Sequence, residues 1–75
     1  MTRQSLESLV QRMNAIAGTD RYYLQGAYGG WDVFLQEPEG TGATPVFNTY
    51  SPKKLLAVQI NCWLMGYQTA YDQTL

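Results

Sequence analysis

Leu6, Leu9, Val10, Met13, Ile16 and Ala17 recur at intervals of three and four, so one side of residues 3–17 is apolar and the segment reads as an amphipathic helix. Arg3, Gln4, Glu7, Ser8, Gln11, Arg12 and Asn14 fill the polar side. Thr2 or Ser5 supplies the N-cap oxygen, and Gly18 suits the left-handed residue that closes a helix.

After Asp20 the pattern changes to the alternation of strands. Residues 21–36 read as a β-hairpin with Gly29-Gly30 as a two-residue turn, because glycine adopts the positive φ of such turns without strain. In that register Tyr28 lies opposite Trp31, Gly26 opposite Val33 and Leu24 opposite Leu35. Tyr22, Leu24, Tyr28, Trp31, Val33 and Leu35 then share the apolar face, and Tyr23, Gln25, Ala27, Asp32, Phe34 and Gln36 the other. Gly26, inside a strand, marks close approach by a backbone or a large neighbour such as a helix residue.

Residues 37–44 are a loop by composition, and Pro45–Tyr50 reads as a third strand, at an edge because it begins with proline. Val46 and Phe47 point opposite ways, which leaves its inward face open. Ser51 as N-cap and Pro52 at N1 open a second helix that runs to about Ala70 or Tyr71, with a hydrophobic staple from Tyr50 to Leu55. The expected architecture is a single α+β domain over residues 1–75, in the order α-β-β-β-α. Its three-stranded antiparallel sheet carries both helices on one face.

The second helix has more apolar surface than one sheet requires. Leu56, Ile60, Trp63, Tyr67 and Ala70 form one stripe, and Leu55, Val58, Cys62 and Met65 an adjoining one, with Lys54, Asn61 and Gln68 as the polar ridge. The first helix, a homodimer seam or another protein can each cover the second stripe; packing by the first helix is the favoured expectation. The far face of the sheet brings Tyr23 and Phe34 together, with Gln25 opposite Phe34, and no segment is left over to cover it. Tyr23, Phe34, Val58 and Met65 are therefore the candidate partner-binding residues.

Composition narrows the chemistry. At 75 residues the fold buries only about 60% of its unfolded surface. The lone cysteine, Cys62, excludes an internal disulfide, and without histidine a structural zinc site lacks its ligands. Six tyrosines, two tryptophans and two phenylalanines offer an aromatic-rich core instead. No His-assisted nucleophile exists, Glu37 and Glu39 read as solvated loop charges, and Cys62 within an apolar helix reads as buried and inert. The glycines lack the strand–loop–helix context of a phosphate loop. No enzyme activity, metal or cofactor is expected. A net charge of −1 gives no general attraction to nucleic acid or anionic membranes, and no apolar run spans a membrane or reads as a signal peptide. A reducing cytoplasm is the expected compartment.

The element order resembles that of the double-stranded-RNA-binding domain, and Ser51-Pro52-Lys53-Lys54 is similar to that family's basic start of the second helix. The resemblance implies phosphate contacts from Lys53 and Lys54, joined by Arg21 as a further basic candidate. The family's histidine-bearing loop motif is absent; Gly29-Gly30 stands in its place. The leading expectation is a non-enzymatic protein-interaction module, an inhibitor or adaptor of the bacterial or phage accessory kind, that binds a partner protein or self-associates. Nucleic-acid binding is the alternative.

Overall fold

The computed structural model describes residues 2–40 and 42–73, with the side chains of all of these except Glu39 and residues 68–73. The elements are α1 (Arg3–Ala17), β1 (Tyr22–Ala27), β2 (Gly30–Gln36), a 3-10 turn (Pro38–Gly40), β3 (Ala43–Pro45) and α2 (Lys53–Gln73). The sheet is antiparallel in the order β1-β2-β3, and the α+β fold packs its helices against it.

α1 follows its sequence pattern. The Thr2 hydroxyl accepts from the Ser5 N–H, and Gly18 takes φ 68° at the other end. Gly18 N–H then donates to the Ala15 carbonyl and Thr19 N–H to that of Asn14, so the last carbonyls are satisfied. Leu6, Val10 and Met13 are buried against Val33 of β2 and Leu56, Ala57, Ile60 and Leu64 of α2. Asn14 departs from the polar side expected for it and is buried. Its Oδ1 accepts from the Tyr22 N–H at 2.9 Å and its Nδ2 donates to the Tyr22 carbonyl at 3.1 Å. One side-chain amide thus pairs with β1 as a neighbouring strand would.

The hairpin turns one residue earlier than the Gly-Gly pair suggests. Ala27 pairs with Gly30, Gly26 with Trp31, Leu24 with Val33 and Tyr23 with Phe34. Tyr28 and Gly29 form the turn, with φ of 53° and 72°. Because the register moves by two, every other side chain keeps its expected face. Tyr28 is the exception: it leaves the apolar face and is 90% exposed. The cause lies across the sheet, where a Cβ on Gly30 would overlap the Tyr50 carbonyl oxygen. Gly30 is therefore consumed by strand crossing and Tyr28 must adopt the turn. Gly26 is crowded by the Trp31 ring, 3.2 Å from where its Cβ would stand, so its large neighbour comes from the sheet and not from a helix.

The third strand is shorter and earlier than expected, Ala43–Pro45 in place of Pro45–Tyr50. It stays beside β2 as far as Val46, whose N–H donates to the Val33 carbonyl. The chain then bulges and rejoins β2 where Ser51 and Trp31 exchange both backbone hydrogen bonds, at 2.8 and 2.9 Å. This bridge takes Ser51 away from its expected capping role. The first bond of α2 runs from Leu56 N–H to the Pro52 carbonyl, so Pro52 holds the cap position. α2 itself extends to Gln73, two or three residues past the expected end.

Gly29 and Gly30 are adjacent but not equivalent. Gly29→Ala should cost about 1–2 kcal/mol, because only the left-handed backbone resists it. Gly30→Ala should cost at least about 3 kcal/mol, the upper end of overpacking penalties, because the obstructing atom is backbone. Urea denaturation of both variants checks this; equal losses would mean that the crossing at Tyr50 is not tight.

Candidate functional site

Tyr23 and Phe34 meet on the sheet face away from the helices, with ring centroids 6.0 Å apart. They are direct cross-strand partners, so Tyr23 and not Gln25 stands opposite Phe34. The row continues beyond the expected pair. Phe34 lies 6.2 Å from the ring of Tyr50, and Tyr50 meets Tyr28 edge-to-face at 5.1 Å. Tyr23, Phe34, Tyr50 and Tyr28 therefore form one contiguous line of rings running from β1 across β2 to the hairpin turn. Tyr50 is thereby drawn away from the expected staple, and Leu55 is left half exposed.

The far face is not bare, because the 46–50 bulge folds over part of it. An unbroken register would place Asn48 opposite Trp31; Ser51 stands there instead, so three extra residues are looped out beside Asp32. Asp32 was expected on an open face, and it is 0% exposed. Its Oδ1 accepts from the N–H of Val33 at 2.7 Å and of Phe47 at 3.4 Å, and its Oδ2 accepts from Asn48 N–H at 2.8 Å. A buried carboxylate thus replaces the ladder that the bulge has lost. Thr49 fastens the bulge to its surroundings through the hydroxyl of Ser51 and the amide of Gln59. Asn48 and Tyr50 sit at φ of 60° and 48°.

Strain and aromatic placement coincide. Tyr28, Asn48 and Tyr50 are the non-glycine residues with positive φ among those described, and two of them are rings of the aromatic row. A left-handed backbone costs a residue with a Cβ roughly 1–2 kcal/mol. Glycine or asparagine would hold either position more cheaply.

Val58 and Met65 lie elsewhere. The buried side of α2 is Leu56, Ala57, Ile60 and Leu64, and the first helix packs there, so the expected cover for the second stripe is absent. Leu55 is 50%, Val58 57% and Met65 69% exposed. Cys62, expected to be buried, is exposed between them. Trp63 is half buried, packed edge-on against Tyr22 at 5.5 Å and stacked on Tyr67 at 5.2 Å. The four candidate partner-binding residues therefore divide between two surfaces: Tyr23 and Phe34 on the open sheet face, Val58 and Met65 on the outer side of the helical layer. Ala70 and Gln68, assigned to faces of this helix by sequence, lie outside the described side chains.

Lys53 and Lys54 lie at one end of β2, and Arg21 at the other. Lys53 Nζ stands 5.7 Å from the centroid of the Trp31 ring, and the Arg3 guanidinium lies at the same distance from it. Lys54 is exposed. Arg21 donates to Thr19 Oγ1 at 3.1 Å, and its carbonyl accepts from Gln36 at the opposite end of β2 from Trp31. Five residue steps of strand separate those ends, about 17 Å. Glu37 accepts from the Thr44 hydroxyl at 2.8 Å within its loop, and the Glu39 side chain lies outside the described set. Among the described residues no group of His, Cys, Asp and Glu side chains could hold a metal ion, and no helix is long and apolar enough to cross a membrane.

Comparison of the chain with protein-family models, curated proteins and solved structures gave no match to any of them.

Asp32→Ala should leave the Val33, Phe47 and Asn48 amides without their carboxylate acceptor, at a cost of about 1–3 kcal/mol for each amide left unsatisfied. Amide exchange at Asn48 should accelerate while α1 stays protected. Unchanged exchange at Asn48 would show that the bulge is held by something other than Asp32.

Proposed function

We propose that this protein is a small non-enzymatic interaction module whose primary contact surface is the row Tyr23, Phe34, Tyr50 and Tyr28. The observation that carries this reading is the coincidence of ring and strain: two of the four tyrosine and phenylalanine positions hold a tyrosine where the backbone favours glycine. Such a cost is retained where the surroundings and the use of a site require it. Aromatic rings framed by polar residues supply large contact area at little entropic cost, the character of interface anchors. Gln25 and Gln36, on the same face of the sheet as Tyr23 and Phe34, provide that frame here. The partner is a protein, and the module acts by occupying or bridging partner surfaces as an inhibitor or adaptor does, in the cytoplasm.

The outer stripe of α2 favours self-association as a second element of the same reading. Leu55, Val58, Cys62 and Met65 follow a three-four-three spacing, the seam spacing of paired helices. The separation of Arg21 from Lys53 and Lys54 makes nucleic-acid binding the weaker reading, since phosphate tracking depends on several contacts along one path.

Tyr28→Asn creates the Asn-Gly pair that such turns prefer. It should keep or raise the melting temperature while weakening partner binding; Tyr23→Ser and Phe34→Ser should abolish binding with the fold intact. Circular dichroism melts paired with quantitative pull-down check this, and full partner recovery by all three variants would remove the aromatic row from the interface. Light scattering over a concentration series should show a dimer that Val58→Glu with Met65→Glu converts to monomer; a monomer throughout would assign the α2 stripe no role in self-association.

A further inference from the structure

β1 is an edge strand, and the direction of its backbone groups follows from two bonds. Gln36 N–H donates to the Arg21 carbonyl, which fixes Arg21, Tyr23, Gln25 and Ala27 as the residues whose backbone faces β2. Tyr22, Leu24 and Gly26 therefore direct their N–H and C=O groups outward. The Asn14 amide confirms this direction, because it takes both outward groups of Tyr22. Among the described residues the next two rungs have no backbone partner, and only a long 3.4 Å contact from the Gln25 side-chain amide reaches the Gly26 carbonyl. Beside the first of them, at Leu24, runs a groove of about 300 Å³ lined by Glu7, Val10 and Gln11 of α1 and by Tyr22, Tyr23 and Leu24 of β1.

We infer that this groove takes an extended segment of a partner protein, added antiparallel or parallel to β1 with its backbone bonded to Leu24 and Gly26. The inference rests on the reading of the aromatic face as a protein-binding surface and names the form of the bound partner. Open rungs at strand spacing call for another peptide backbone, since only that presents alternating donors and acceptors to match them. A second copy of this chain fits poorly. Asn14 reaches the outward groups of Tyr22, so α1 overhangs the edge, and two overhanging helices would meet before their strands did. A single strand passes beneath one helix. Its alternate side chains then divide between the two faces: one set meets Leu24, Val10 and the polar rim of Glu7 and Gln11, and the other lies beside Tyr23 and extends the ring row. The bound segment accordingly alternates apolar residues with residues that suit the Tyr23 ring.

The test uses the whole chain as bait for a phage library of short random linear peptides, followed by titration of a selected synthetic peptide into isotopically labelled protein. The expected result is slowed amide exchange at Leu24 and Gly26, with Tyr23 and Gln25 little changed because their amides already face β2. Gln11→Trp, a substitution at an exposed helix position that fills the groove, should weaken binding at least about tenfold without altering the melt. A failure to select any peptide overturns the inference, as does a peptide that leaves the Leu24 and Gly26 amides unprotected. If such a peptide is lost on Tyr23→Ser, the aromatic face stands and the edge falls. Protection of Leu24 and Gly26 that grows with protein concentration in the absence of peptide would assign the edge to a second copy and overturn the partner assignment.

Discussion

The chain crossing at Gly30 governs the rest of the sheet. Tyr50 carries its carbonyl over a residue that has no side chain, and Ser51 then locks to Trp31 through two backbone bonds. From that point the hairpin has no freedom to turn at Gly29-Gly30. The turn moves to Tyr28, the bulge before Tyr50 must take up three residues, and Asp32 is enclosed as the acceptor for the amides the bulge releases. The start of α2 is fixed in the same step, since Ser51 leads directly into Pro52. One missing Cβ therefore sets a turn, a bulge, a buried carboxylate and a helix start.

The helices and the element order were legible because their signals are local. The three-four periodicity of α1, its Thr2 and Gly18 ends, and the order α-β-β-β-α all follow from neighbours in sequence. The paired rings of Tyr23 and Phe34 were legible too, since strand alternation alone puts them on one face. What escaped depends on contacts between distant segments. Gly29-Gly30 is a sound turn signal until Tyr50 claims Gly30, and no pattern around Asp32 announces that residues 47 and 48 will donate to it. Asn14 looked like one more polar residue at the end of a helix; its task is visible only when Tyr22 is beside it. Tyr50 and Tyr28 joined the candidate surface for the same reason, through a long-range ring contact. A signal for Tyr28 did exist: it precedes a glycine in a hairpin, where a shift of the turn by one residue was the competing register.

The outer face of α2 gives the opposite lesson. Its excess of apolar residues was visible in the sequence, and the first helix was the economical cover. α1 instead packs where Leu56, Ala57, Ile60 and Leu64 already face the core, so the excess remains on the surface. The molecule thus presents apolar side chains on both outer sides of its two layers, rings on the sheet and aliphatic and sulfur groups on the helix.

Asn14 has a consequence for the behaviour of the protein in concentrated solution. Its amide occupies the first outward rung of β1, which leaves an exposed edge too short to template a continuous stack of strands. That guard is carried by a different element from the one it protects. Any fluctuation that lifts α1 from the sheet therefore lengthens the sticky edge at the same moment as it bares the apolar core, and resistance to aggregation is tied to the local stability of a single fifteen-residue helix.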